Sequence, residues 1–146
     1  MTGSLSFDLQ HWPLVVLRLP PRFSEAEVAS LARAQEEIFQ RRERYVSLTD
    51  TSVVEGLPDA RVRAAIGEWL KTIEARAKRY QVANALVIAS PLTRGALTAV
   101  HWLAPPPVPT LVCGTMAEGA RYLEQHAQRA GLDAAPLGRL LRSLEA

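Results

Sequence analysis

Cysteine is nearly missing from this chain. Cys113 stands alone, which excludes an internal disulfide and any cysteine-based metal site. Its place in an apolar stretch points to a buried thiol and not to a nucleophile. Lysine is scarce too: Lys71 and Lys78 are the lysines among 17 basic residues, and the net charge is only +2. So small a field argues against nucleic acid as a partner. No apolar run approaches the roughly 20 residues that a membrane-crossing helix needs. Met1–Leu9 has neither the charged start nor the apolar stretch of a leader peptide. The expected location is the cytoplasm, without membrane insertion. His11, His101 and His126 lack metal-ligand spacing, and no glycine-framed serine nucleophile motif appears. A glycine-rich phosphate loop with its lysine is also missing. No catalytic residue, metal ligand or cofactor is therefore assigned, and a non-enzymatic role is expected.

What is present is a rhythm. The 146 residues are 48% apolar and 22% charged, the composition of one ordinary globular domain with a real core. Four times a short apolar run crosses a polar turn into an amphipathic helix. A weak edge strand is expected over Ser4–Leu9, from Leu5, Phe7 and Leu9 alternating with polar residues. Leu14–Leu19 is the first firm strand, and Ser24 with Glu27 forms a capping box for the helix that follows. Val28, Leu31, Gln35, Ile38 and Phe39 keep near-helical spacing there, with Gln35 the polar exception. Arg41–Arg44 reads as a solvated helix end. Tyr45–Leu48 is the second strand and Thr49–Ser52 its exit; the loop then runs through Gly56 and Pro58. Asp59 is a natural N-cap for a helix with Val62, Ile66, Trp69, Leu70, Ile73 and Ala77 along one stripe.

Ala85–Ala89 is the third strand, its unbroken apolar run implying burial on both faces. Ser90-Pro91 opens the next helix as cap and first turn. That helix carries no charge after Arg94 and ends at Pro105–Pro107. Thr110–Cys113 is the fourth strand, and Thr115 with Glu118 caps a helix that stops at Gly131. Leu137, Leu140, Leu141 and Leu144 mark a last short helix. Strands joined by helices must run parallel. The fold class is thus α/β: a mostly parallel sheet of four to five strands built from four strand–helix units, with helices packed on it. Residues 1–146 form one domain, of which 133–146 are a helical extension.

In such sheets ligands meet the turns beyond the strands' carboxyl ends. Asp50, Thr51 and Ser52 put a carboxylate beside hydroxyls at one such turn, and Asp59 follows at the next helix start. They are candidates for partner binding or hydroxyl phosphorylation, or for a turn whose side chains bond their own backbone. Ser90, Thr93 and Arg94 open a helix where exposed amides, hydroxyls and a guanidinium suit an anion or a partner; the plainer alternative is a cap with an exposed arginine. Trp102, on the uncharged helix, is a candidate interface residue, and self-association into a homodimer is compatible with that helix.

The weak opening strand followed by Leu14–Leu19, the central Tyr45–Ser52 segment and the four-unit order over Leu5–Leu132 resemble the STAS or SpoIIAA-like family of sulfate-transporter and anti-sigma-factor-antagonist domains. Anti-sigma antagonists of that family carry an Asp-Ser-Ser-Gly type motif where a helix starts after the central strand, and a kinase phosphorylates one of the serines. At that place this chain has Pro58-Asp59-Ala60-Arg61, which keeps the acid in type and lacks the serines. The resemblance implies a SpoIIAA-like superhelix and a regulatory or scaffolding domain acting through an unidentified protein partner. It also implies an alternative. The fold is broadly similar to that of some lipid-binding domains, and the uncharged third helix could line an apolar pocket for a small molecule or lipid.

Overall fold

The computed structural model describes residues 5–55, 58–103 and 105–146, with the side chains of 100, 102 and 103 outside the description. The expectations placed on Ser4, on Gly56 and on the Trp102 side chain therefore lie outside the described residues. Ten elements follow one another: β1 (Ser6–Asp8), β2 (Leu14–Arg18), α1 (Glu25–Gln40), β3 (Tyr45–Asp50), α2 (Ala60–Tyr80), β4 (Gln81–Val87), α3 (Pro91–Leu103), β5 (Thr110–Cys113), α4 (Met116–Arg129) and α5 (Ala135–Glu145). The strands lie side by side in chain order, with β1 antiparallel to β2 and the others parallel. The α/β class and its strand–helix rhythm are as the sequence implies.

Two strand limits differ from the apolar pattern. β3 runs on through Thr49 and Asp50, which pair with Leu17 and Arg18 on one side and with Leu86 and Val87 on the other. A parallel neighbour on each side supplies backbone partners, and these outweigh the turn preference of Asp. β4 begins at Gln81, directly after α2, and stops at Val87. Its first half is polar at Gln81 and Asn84, so no apolar run marks it.

Helix starts follow local chemistry. Asp59 Oδ1 accepts from the Val62 amide at 2.9 Å, and Thr115 Oγ1 accepts from the Glu118 amide at 3.2 Å. Ser90 Oγ accepts from the Thr93 amide at 3.2 Å. Ser24 is the N-cap of α1, yet its hydroxyl is held by the Glu27 carboxylate and bonds no backbone amide. That hydrogen bond holds the Glu27 carboxyl below its ordinary value. At the end of α4, Gly131 takes a φ of 76°. This left-handed turn lets the Leu132 amide reach the Ala127 carbonyl at 2.9 Å and closes the helix. The Arg41–Arg44 run proves more than solvated. Arg41 stacks over Trp12, Glu43 accepts from the Trp12 ring nitrogen at 2.9 Å, and Arg44 reaches the Ala130 carbonyl at 2.6 Å.

The sheet has two unlike faces. On one, Leu14, Val16, Val46, Leu48, Ala83, Ala85 and Val87 meet α4 and α5 in a single buried cluster. Gly119 makes this approach possible: a Cβ there would sit 2.6 Å from Leu48 Cδ1. Cys113 is buried in the same cluster, and burial pushes its thiol up from the ordinary value. Leu137, Leu140 and Leu141 dock α5 here, while Leu144 is exposed. On the opposite face Val15 and Tyr45 pack with Ile38 and Phe39 of α1 and Ile73 and Ala77 of α2. That second cluster stops short of covering the sheet.

Candidate functional site

Where the second cluster stops, a cavity of about 770 Å³ opens between the sheet and helices α1, α2 and α3. Tyr45, Ser47 and Thr49 alternate along one side of β3, Thr51 continues the row just past its end, and all line it. At about 3.3 Å per residue they run for roughly 20 Å, so the space is elongated along the strands. The apolar wall explains departures from the expected core. Ile66, Trp69 and Leu70, in the middle of the α2 stripe, overhang the cavity and remain partly or largely exposed. Leu86 and Ile88 line it as well. The expectation that this strand is buried on both faces is thereby corrected: Ala83, Ala85 and Val87 are buried, while Asn84 and Leu86 on the other face are not. No aspartate, glutamate, lysine or arginine lines the cavity among the described residues; His101 and Tyr45 are its titratable side chains.

A polar floor interrupts the apolar wall, and a bulge creates it. Tyr45 pairs with Gln81 and Val46 with Ala83, so β4 has one residue too many at this point. Val82 and Ala83 both belong to the cluster under α4 and α5. Gln81 and Asn84 consequently share the cavity face although they are three residues apart, where a regular strand would separate them. Ser47 Oγ links the two: it accepts from Gln81 Nε2 at 2.6 Å and donates to Asn84 Oδ1 at 2.8 Å. Gln81 Oε1 and Asn84 Nδ2 make no hydrogen bond to a described residue, and no such atom is sealed from solvent. Both belong to side chains that line the cavity. Beside them Gln35 Nε2 donates to the Tyr45 hydroxyl at 2.8 Å. Burial pushes the Tyr45 phenol up to about 12, so it remains neutral. Two other hydroxyls of the lining are committed to backbone, Thr51 donating to the Val87 carbonyl and Thr110 to the Val108 carbonyl, while Ser90 accepts from the Thr93 amide.

The residues singled out from the sequence divide in two. Thr51, Ser52, Ser90 and Thr93 converge on the lining of this cavity, at the carboxyl ends of β3 and β4. Asp50, Asp59 and Arg94 are not part of the lining. Asp50 Oδ1 accepts from the Ser52 amide at 2.9 Å, the backbone-bonded turn that the residue types allow. Asp59 caps α2. Arg94 is tied to the frame: its Nη1 donates to the Ile88 carbonyl at 2.8 Å and to the Ala89 carbonyl at 2.9 Å. Its charge is thus spent on β4's end and turned away from the outer face of α3. Among the described residues no group of three or more histidine, cysteine or acidic side chains is placed to hold a metal ion.

Sequence reasoning missed Gln35, Ser47, Gln81 and Asn84. Two of them left a trace, since Gln35 breaks an apolar helical stripe and Asn84 sits next to an apolar run. Comparison of the chain with protein-family models, with curated proteins and with solved structures finds no match.

Proposed function

We propose that this chain binds and carries an apolar small molecule or lipid between its sheet and helices α1–α3, without transforming it. The observation that carries this reading is the cavity itself. Its volume of about 770 Å³ falls in the range of small-molecule sites, and it combines apolar walls with a few convergent polar groups. No described helix is long and apolar enough to cross a membrane, and a carrier of this kind would work in the cytoplasm. The test is denaturing mass spectrometry of protein purified without detergent, paired with titration of the uncharged fluorophore N-phenyl-1-naphthylamine. A stoichiometric organic ligand or saturable probe binding is the expected result. A clean spectrum together with no probe binding by the folded protein would reject the reading.

A second reading, a regulatory or scaffolding domain acting through a protein partner or a second copy, has its own observation. Leu92 is 85% exposed on α3 and Val53 is 57% exposed beside the cavity-lining Ser52. With Arg94 turned inward, the described outer face of α3 is uncharged and poorly suited to water. Leu92→Asp and Val53→Asp, at exposed side chains outside the cavity lining, should weaken capture of a protein partner at least about tenfold, by desolvation and repulsion, while probe binding persists. Unchanged capture in both variants would remove this surface from consideration.

A further inference from the structure

We infer that the cavity selects an uncharged amphiphile whose head offers both a hydrogen-bond donor and an acceptor, such as a primary amide, an alcohol or a protonated carboxylic acid. This rests on the ligand-binding reading above and names its ligand class. Two observations converge on it.

The first is the floor. Ser47 occupies one hydrogen-bonding atom of Gln81 and one of Asn84. A carbonyl at Gln81 and amide N–H at Asn84 remain, on side chains that line the cavity and without a partner among the described residues. Turning both amides over exchanges the two roles and leaves the same complement, one donor beside one acceptor. The hydrogen bonds to a common hydroxyl keep the pair together on one patch, and the bulge in β4 holds both side chains on the cavity side. A head with a donor and an acceptor satisfies both atoms at once. A hydrocarbon end, or an ether that only accepts, leaves at least one of them desolvated and unpaired.

The second is charge. The described lining contains no arginine, lysine or carboxylate, and Arg94, beside the lining residue Thr93, is engaged by the Ile88 and Ala89 carbonyls. An ionised head brought to the floor would lose its hydration with no guanidinium, ammonium or carboxylate group of the described lining to replace it, and His101 on α3 is the basic side chain that the lining does hold. The Tyr45 phenol, neutral and held by Gln35, adds polarity to the same sheet face without adding charge.

The experiment is displacement of N-phenyl-1-naphthylamine from the full chain by a series sharing one alkyl chain: dodecanamide, dodecanol, the methyl ether of dodecanol, dodecanoate at pH 8 and dodecyltrimethylammonium. The two ions are used below their micelle-forming concentrations and the three uncharged compounds below their solubility limits. Dodecanamide and dodecanol should displace the probe at concentrations at least about tenfold lower than the two ions and the ether. Asn84→Leu and, separately, Gln81→Met should erase the advantage over the ether while the probe still binds. Gln81→Met lies at the first residue of its strand, which keeps the test open should Asn84→Leu unfold. Equal or better displacement by dodecanoate, or a head preference that survives both substitutions, would overturn the inference and leave the cavity reading standing. Absence of probe binding by a chain with normal circular dichroism would overturn both.

Discussion

The two faces of one sheet have opposite characters. Under α4 and α5 the alternate positions Leu14 and Val16 of β2, Val46 and Leu48 of β3 and Ala83, Ala85 and Val87 of β4 are all Leu, Val or Ala, and they are sealed. Across the sheet the intervening positions of β3 and β4 include Ser47, Thr49, Gln81 and Asn84, and they face empty space. The difference lies in what the covering helices do. α4 presses a glycine and two alanines, Gly119, Ala120 and Ala127, onto small strand residues, so backbone approaches backbone closely. On the other side α1 and α2 pack against each other and against the sheet's amino-terminal edge through Phe39, Tyr45 and Ile73, which leaves the rest of that face uncovered. One face is built for stability, and the other gives up burial and leaves a cavity.

Breaking the closed face should cost most. Leu123→Ala, at a side chain with no exposure, should remove about 2–5 kcal/mol, because a void opens in a packed core. Leu97→Ala should cost less than about 1 kcal/mol, since Leu97 borders a cavity that already exists. Urea midpoints read at constant m-value make the comparison. Equal losses would mean that the cavity is filled by protein in solution.

Two glycines sharpen the contrast at smaller scale. Gly119→Ala drives a methyl group onto Leu48, Ala85 and Cys113 and should cost about 1–3 kcal/mol by overpacking. Gly67→Ala, exposed within α2 with nothing within 4 Å of the new atom, should instead stabilise by about 0.5–1 kcal/mol through helix propensity. Thermal midpoints moving in opposite directions are the expected readout.

The smallest effect is on pH. Burial, then Arg129, holds the His126 imidazole on α4 below its ordinary value. The unfolded chain therefore takes up the proton first as pH falls. Stability should decline as pH drops through the ordinary histidine range, and level off beneath the lowered folded value. His126→Gln should flatten that part of the curve, read as midpoint against pH from 8 to 5. An unchanged slope would assign the decline to other groups.

Much of this architecture is legible in the residues. Asp59, Ser90, Thr115 and Gly131 each punctuate a helix by a bond to the backbone within a few positions, so a local reading suffices. Thr51, Ser52, Ser90 and Thr93 were found because parallel sheets expose the turns after their strands, and all four border the cavity. Arg94 looked like an exposed anion ligand, because sequence cannot reveal that the Ile88 and Ala89 carbonyls lie within its reach. Ser47, Gln81 and Asn84 carry no signal of their own in the sequence, since their meaning depends on one another.

The sequence by itself determined the α/β class, the order of elements and where the helices start and stop, because periodicity and capping act over three or four residues. Only the tertiary structure decided which face of the sheet is closed and which is hollow. Ser47, Gln81 and Asn84 reach one patch only because of a bulge that shifts the register of β4. Neither outcome is encoded locally: each depends on how closely helices distant in sequence can approach the sheet, and on pairings between strands more than 30 residues apart.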